Sequence, residues 1–79
     1  MYYVYIIKSE KDGSYYTGMT KDLRKRLKEH NEGKVKSTSF KNPYILVWYC
    51  AFPSKEKAIE FEKYLKTGSG IAFRNKRLL

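Results

Sequence analysis

The chain has a single cysteine, Cys50, among its 79 residues, so an internal disulfide is excluded and a reducing, cytoplasmic setting is expected. Cys50 and the lone histidine, His30, supply no Cys/His set with zinc spacing. Proline occurs twice and glycine five times, too few for a low-complexity or linker segment. Long apolar runs are missing too. The longest, YILVWYCAF over residues 44–52, is too short to span a bilayer and suits a buried strand. No basic segment followed by a long apolar stretch opens the chain, so no secretion signal is expected. Acids are the last scarcity, eight Asp and Glu against seventeen Lys and Arg, for a net charge of +9.

That imbalance favours polyanionic partners, nucleic acid above all, through phosphate contacts and counterion release. The basic residues are also unevenly spread. Residues 21–41 carry Lys21, Arg24, Lys25, Arg26, Lys28, Lys34, Lys36 and Lys41, with three acids among them. The last fourteen residues add Lys66, Arg74, Lys76 and Arg77 with no acid. Two acid-poor blocks resemble a footprint more than a dispersed solubility charge.

What is abundant is aromatic. One tryptophan, eight tyrosines and four phenylalanines fit a thin core, because each ring buries a large area for its backbone cost. A chain of this length makes one domain, residues 1–79. YYVYIIK over residues 2–8 predicts a strand, Asp12-Gly13 a hairpin turn, and YYTGMT over residues 15–20 the returning strand. With an even loop, Tyr5, Tyr16 and Gly18 share one face. Gly18 leaves room beside the rings. Tyr2, Tyr3 and Tyr15 read as packing or edge residues.

A helix is expected over residues 21–32, capped by Thr20 and stopped by Gly33, with Asp22 in its first turn. Leu23 and Leu27 form its apolar seam, and Arg26 and His30 lie beside that seam as i, i+4 neighbours. The loop 33–43 is rich in lysine and hydroxyls. YILVWYCAF is apolar on both faces and is expected to be the central strand. Ser54 caps a second helix to about residue 66, whose apolar face holds Ala58, Ile59, Phe61 and Leu65. Glu62 falls on that same face, and a carboxylate there needs an ion pair, hydrogen bonds or a metal. Thr67-Gly68-Ser69-Gly70 is expected to end the helix before a short amphipathic tail helix.

Together, Tyr3-Val4-Tyr5, Tyr16-Thr17-Gly18, DLRKRLKEHNEGK and AIEFEKYLK resemble the GIY-YIG endonuclease superfamily, along essentially the whole chain. The likeness is strongest to its small stand-alone bacterial members. Tyr3 and Val4 replace the glycine and isoleucine of the first triplet, and Thr17 the isoleucine of the second. These positions read as structural, so the resemblance in the chemistry is unaffected. Asn75 is not carried over as the family's late asparagine.

The resemblance implies an α+β fold, a three-stranded antiparallel sheet flanked by helices, and hydrolysis of phosphodiester bonds. It assigns the chemistry to Tyr5, Tyr16, Arg26, His30 and Glu62. Tyr16 is the general base or water-positioner with Tyr5 beside it, or the two exchange roles. A phenol titrates near pH ~10 unless cations lower its pKa. Arg26 grips a phosphate oxygen, and His30 orients a tyrosine or relays a proton. Glu62 would hold one divalent ion, Mg²⁺ or alternatively Mn²⁺, with water and phosphate completing the shell. Lys34, Lys36, Lys41, Arg74, Lys76 and Arg77 are expected to bind the backbone of nucleic acid, DNA before RNA. Cutting both strands would call for a homodimer. The alternative is a nucleic-acid-binding module that keeps the fold with little turnover.

Overall fold

A computed structural model describes residues 1–79. Strand β1 (Tyr2–Ser9) and strand β2 (Tyr15–Thr20) form an antiparallel hairpin. Gly13 takes a positive φ of 76° in its turn. The Asp12 carboxylate accepts from the Ser14 amide and hydroxyl, which closes the turn locally. Helix α1 (Leu23–Asn31) follows, then a 3₁₀ turn at Lys36–Thr38 and strand β3 (Tyr44–Phe52). Helices α2 (Lys55–Leu65) and α3 (Gly68–Arg77) complete the chain. The sheet is fully antiparallel in the order β2-β1-β3, so the fold is α+β with three helices.

The order corrects the placement of YILVWYCAF: β1 is central and β3 is an edge. Helices lie on both faces of the sheet, so Tyr44 is buried and Leu46, Val47 and Trp48 are partly covered, while Ile45 and Tyr49 of β3 stay exposed. On one face Tyr5, Ile7 and Tyr44 pack with Leu23 and Leu27 of α1. On the other, Val4 and Ile6 pack with Ala58 and Leu65 of α2, joined by Phe61 and Trp48. Burying side chains such as Ile6 and Ile7 completely is worth about 1.5–3 kcal/mol each. The β1–β3 register slips at Ile6/Ile7, where Ile6 faces Trp48 and Ile7 faces Leu46. The extra residue, Val47, packs with Trp48 against the α2 side, so the bulge turns two consecutive side chains to one core. At the free edge of β3, Asn31 stands in for a neighbouring strand. Its Oδ1 accepts from the Tyr44 amide at 2.6 Å and its Nδ2 donates to the Tyr44 carbonyl at 3.2 Å.

Two helix starts differ from expectation. Asp22, not Thr20, caps α1: its side chain accepts from the Lys25 amide, while the Thr20 hydroxyl accepts from the Asp22 amide. A carboxylate at this position satisfies a free N–H and complements the helix dipole. The glycine-rich segment after α2 is the first turn of α3, capped by the Thr67 hydroxyl on the Gly70 amide. Gly70 is required there, because a Cβ would collide with the Tyr64 carbonyl of α2. Ser54 caps α2 as the sequence predicts. No helix is long and apolar enough to cross a membrane.

Candidate active site

Tyr5 pairs with Gly18 and Ile7 with Tyr16 across the hairpin, which puts Tyr5, Tyr16 and Gly18 on the face covered by α1. The hairpin thus carries both phenols on adjacent strands. A Cβ on Gly18 would lie 2.5 Å from the Tyr5 hydroxyl oxygen and 3.1 Å from Cε2 of Tyr16. The missing side chain leaves the space that both tyrosines approach above β2.

His30 reaches this pair from the last turn of α1 and is fully buried. Three tyrosine rings surround it, those of Tyr16, Tyr5 and Tyr44, with centroids 5.2, 5.7 and 6.0 Å away. Its Nε2 is 2.7 Å from the Tyr5 hydroxyl, and its Nδ1 is 2.7 Å from the Thr38 hydroxyl. The Thr38 hydroxyl donates to the Val35 carbonyl at 3.3 Å, so it receives the Nδ1 proton. That leaves Nε2 bare to accept from Tyr5. The chain of donors therefore runs Tyr5, His30, Thr38, Val35, in one direction.

Burial sets the protonation of both rings. It pushes the Tyr5 phenol up to about 12, although Arg26 acts on the hydroxyl in the opposite sense. Burial, with the Arg26 charge adding to it, brings His30 down to about 4. At neutral pH Tyr5 is a phenol and His30 a neutral imidazole, as the directed chain requires.

Arg26 lies one turn before His30 and is half-buried. One guanidinium nitrogen is 3.3 Å from the Glu29 carboxylate, a bond that occupies one of five N–H donors. Glu62 comes from α2 on the other side of the sheet, with its side chain 21 % exposed. Its carboxylate is 2.9 Å from the Lys66 ammonium, one turn on. Lys66 also stands over the Tyr16 ring, 5.7 Å from its centroid. The charges of Arg26 and Glu62 both act on the Tyr5 phenol, and Tyr16 packs against the same core cluster as Tyr5.

The basic residues expected to bind nucleic acid are dispersed. Lys34 pairs with Glu32 and Lys41 with Asp12, each at 3.3 Å, and Lys36 is exposed in the 3₁₀ turn. Arg74, Lys76 and Arg77 occupy the last turn of α3, where Arg74 stacks on Tyr15 at 5.0 Å. Three residues join the site without having been singled out. Thr38 and Tyr44 sit in and after an irregular loop, where no period announces them. Lys66 was legible as the i+4 neighbour of Glu62.

No group of three or more metal-ligating side chains is present. A divalent ion here would have one carboxylate, Glu62, as its protein ligand. That fits Mg²⁺, which keeps most of its waters and takes phosphate oxygens from the substrate.

Residues 1–75 match the family profile described as the GIY-YIG catalytic domain, and the chain belongs to that family, one of nucleases acting on nucleic acid. Among curated relatives it is 48% identical over 66 residues to the UPF0213 protein BH0048 of Halalkalibacterium halodurans, covering 82% of this chain and 69% of that one. It is 44% identical over 69 residues to the UPF0213 protein SSP2268 of Staphylococcus saprophyticus, covering 86% and 83% of the two chains. The solution NMR structure of UPF0213 protein BH0048 from Bacillus halodurans has a similar fold, with a TM-score of 0.59 and 42% identity over 96% of this chain and 82% of that chain.

Proposed function

We propose that this protein is a metal-dependent endonuclease that hydrolyses phosphodiester bonds, with DNA as its substrate. The observation that carries the reading is the buried Tyr5–His30 hydrogen bond beside Arg26, Tyr16 and Glu62. A phenol held near 12 is a poor base alone. Paired with a bare imidazole nitrogen it can take a proton while giving up its own. Water then loses its proton to the Tyr5 oxygen as the phenolic proton passes to Nε2 of His30. The water oxygen bonds to phosphorus, the bond to the leaving oxygen breaks, and that oxygen is protonated from solvent. Of the two assignments of the tyrosines, this favours Tyr5 as the base and Tyr16 as the group that orients the water.

Arg26 has donors to spare for a non-bridging oxygen, where charge grows as water attacks. Glu62 would hold Mg²⁺ or Mn²⁺, which when bound offsets charge on the phosphate and leaving oxygen. The +9 net charge gathers the polyanion. A cytoplasmic location agrees with the lone cysteine.

A binding-only module is favoured by one observation, the Glu62–Lys66 ion pair, which already engages the carboxylate. A screen of linear and structured DNA and RNA with Mg²⁺ and Mn²⁺ separates the two. The nuclease reading predicts cleavage of DNA that chelation and Glu62→Ala abolish. Salt-sensitive binding with no cleavage under any metal supports the binding module instead.

A further inference from the structure

Beside the Tyr5–His30 cluster, the outer edge of β2 and the start of α3 enclose a cleft of about 250 Å³, lined by Tyr15, Tyr16, Leu65, Lys66, Ile71 and Arg74. Its aromatic members are interleaved with cations. Lys66 lies over Tyr16, while Arg74 and Lys8 lie 5.0 and 5.7 Å from the centroid of Tyr15. Tyr15 belongs to neither core cluster and is 38% exposed, although its neighbour Tyr16 packs inward. Strand propensity accounts for a tyrosine here, yet it does not account for two cations gathered on an exposed ring.

We propose that Tyr15 is a stacking platform for one unpaired nucleobase of the substrate strand, with Arg74 and Lys8 on the phosphates that flank it. The proposal rests on the nuclease reading and deepens it, since it names the form of nucleic acid the site accepts. The cleft's volume of about 250 Å³ suits a single nucleotide, not a duplex. In the free protein the two cations occupy the surroundings of the ring. A base stacked on tyrosine contributes more than an exposed cation–π contact does, and each displaced cation gains a phosphate oxygen. Arg74 suits this exchange because its planar fork matches phosphate, and its Nε is held only by the adjacent Asn75 side chain at 3.1 Å. Tyr16 and Lys66 join this cleft to Glu62, so a nucleotide on Tyr15 lies on the strand that enters the site.

Fluorescence anisotropy, with metal chelated to prevent cleavage, tests this on a single-stranded DNA oligonucleotide and a blunt duplex of equal length. Tyr15→Ala is expected to weaken single-strand binding by roughly tenfold, and Tyr15→Phe by less than about twofold, because phenylalanine keeps the π face. Tyr15→Thr, a strand former without a ring, should behave as Tyr15→Ala does. Duplex binding should stay within about twofold for all three. Arg74→Gln should lower affinity and flatten the salt dependence by about one phosphate contact. The platform is overturned if Tyr15→Ala and Tyr15→Thr bind the single strand normally, if Tyr15→Phe loses as much as they do, or if the duplex suffers equally. The two readings fail separately. Normal binding by the ring-less variants, with cleavage still lost in Glu62→Ala, removes the platform alone. Ring-dependent binding by a protein that cleaves nothing removes the nuclease reading alone.

Discussion

The hydroxyl of Tyr5 and Nε2 of His30 stand 2.7 Å apart, joining the middle strand of the sheet to the end of α1. His30 is fully buried, so its Nε2 has no water as a substitute partner once the phenol is removed. Tyr5→Phe should therefore cost about 1–3 kcal/mol in urea unfolding, the penalty for an unsatisfied Nε2. If Tyr5 is the base, the same variant should cleave DNA at least about a hundredfold more slowly. Tyr16→Phe, at a ring with more access to solvent, should leave the unfolding midpoint closer to that of the parent.

The same pair makes stability depend on pH at both ends of the scale. Unfolded, His30 gains a proton near 6.5; folded, it does so only near 4. Between those values the unfolded chain binds more protons, so stability falls as pH drops from about 6.5 to about 4, and this contribution levels off below. The loss should be on the order of 2–3 kcal/mol, and His30→Gln should abolish it. Tyr5 acts at the alkaline end. The unfolded phenol ionises near 10 and the folded one near 12, so stability falls as pH rises through that interval. Urea titrations at stepped pH measure both slopes.

Gly18→Ala should damage the site from the strand side. Its Cβ would lie 2.6 Å from Cζ of Tyr5, and the ring has no free space to yield because His30 holds its far end. Overpacking of this kind costs about 1–3 kcal/mol. The variant should lose the downfield shift of a hydroxyl proton hydrogen-bonded to His30, together with cleavage. Unperturbed His30 ring resonances in Gly18→Ala would contradict the contact.

The free edge of β3 gives a prediction away from the chemistry. Asn31→Ala removes both bonds to the Tyr44 backbone and should cost about 1–2 kcal/mol. The Tyr44 amide should then exchange with deuterium faster, while amides in the middle of β1 stay protected.

Much of this was legible in the residues. Period two placed Tyr5, Tyr16 and Gly18 on one face, and the structure keeps them there. Period 3.6 put His30 beside the leucine seam of α1, where it is buried, and Glu62 on the inner side of α2. The place of β3 in the sheet was not legible. Side-chain pattern reports how many faces are covered and says nothing of how many edges are paired. The start of α3 was hidden for a different reason: glycines that look like a stop are there to let Gly70 touch the Tyr64 carbonyl. Thr38, which fixes the tautomer of His30, lies in a loop where contact depends on tertiary structure alone.

The most direct measurement is Mg²⁺-dependent cleavage of DNA by the parent protein, Arg26→Ala and Glu62→Ala, each checked for an unchanged fold by circular dichroism. Both side chains are partly exposed, so folding should survive the substitutions. The account predicts nicking by the parent that stops on chelation and falls at least about a hundredfold in each variant. Equal cleavage by all three proteins would contradict it.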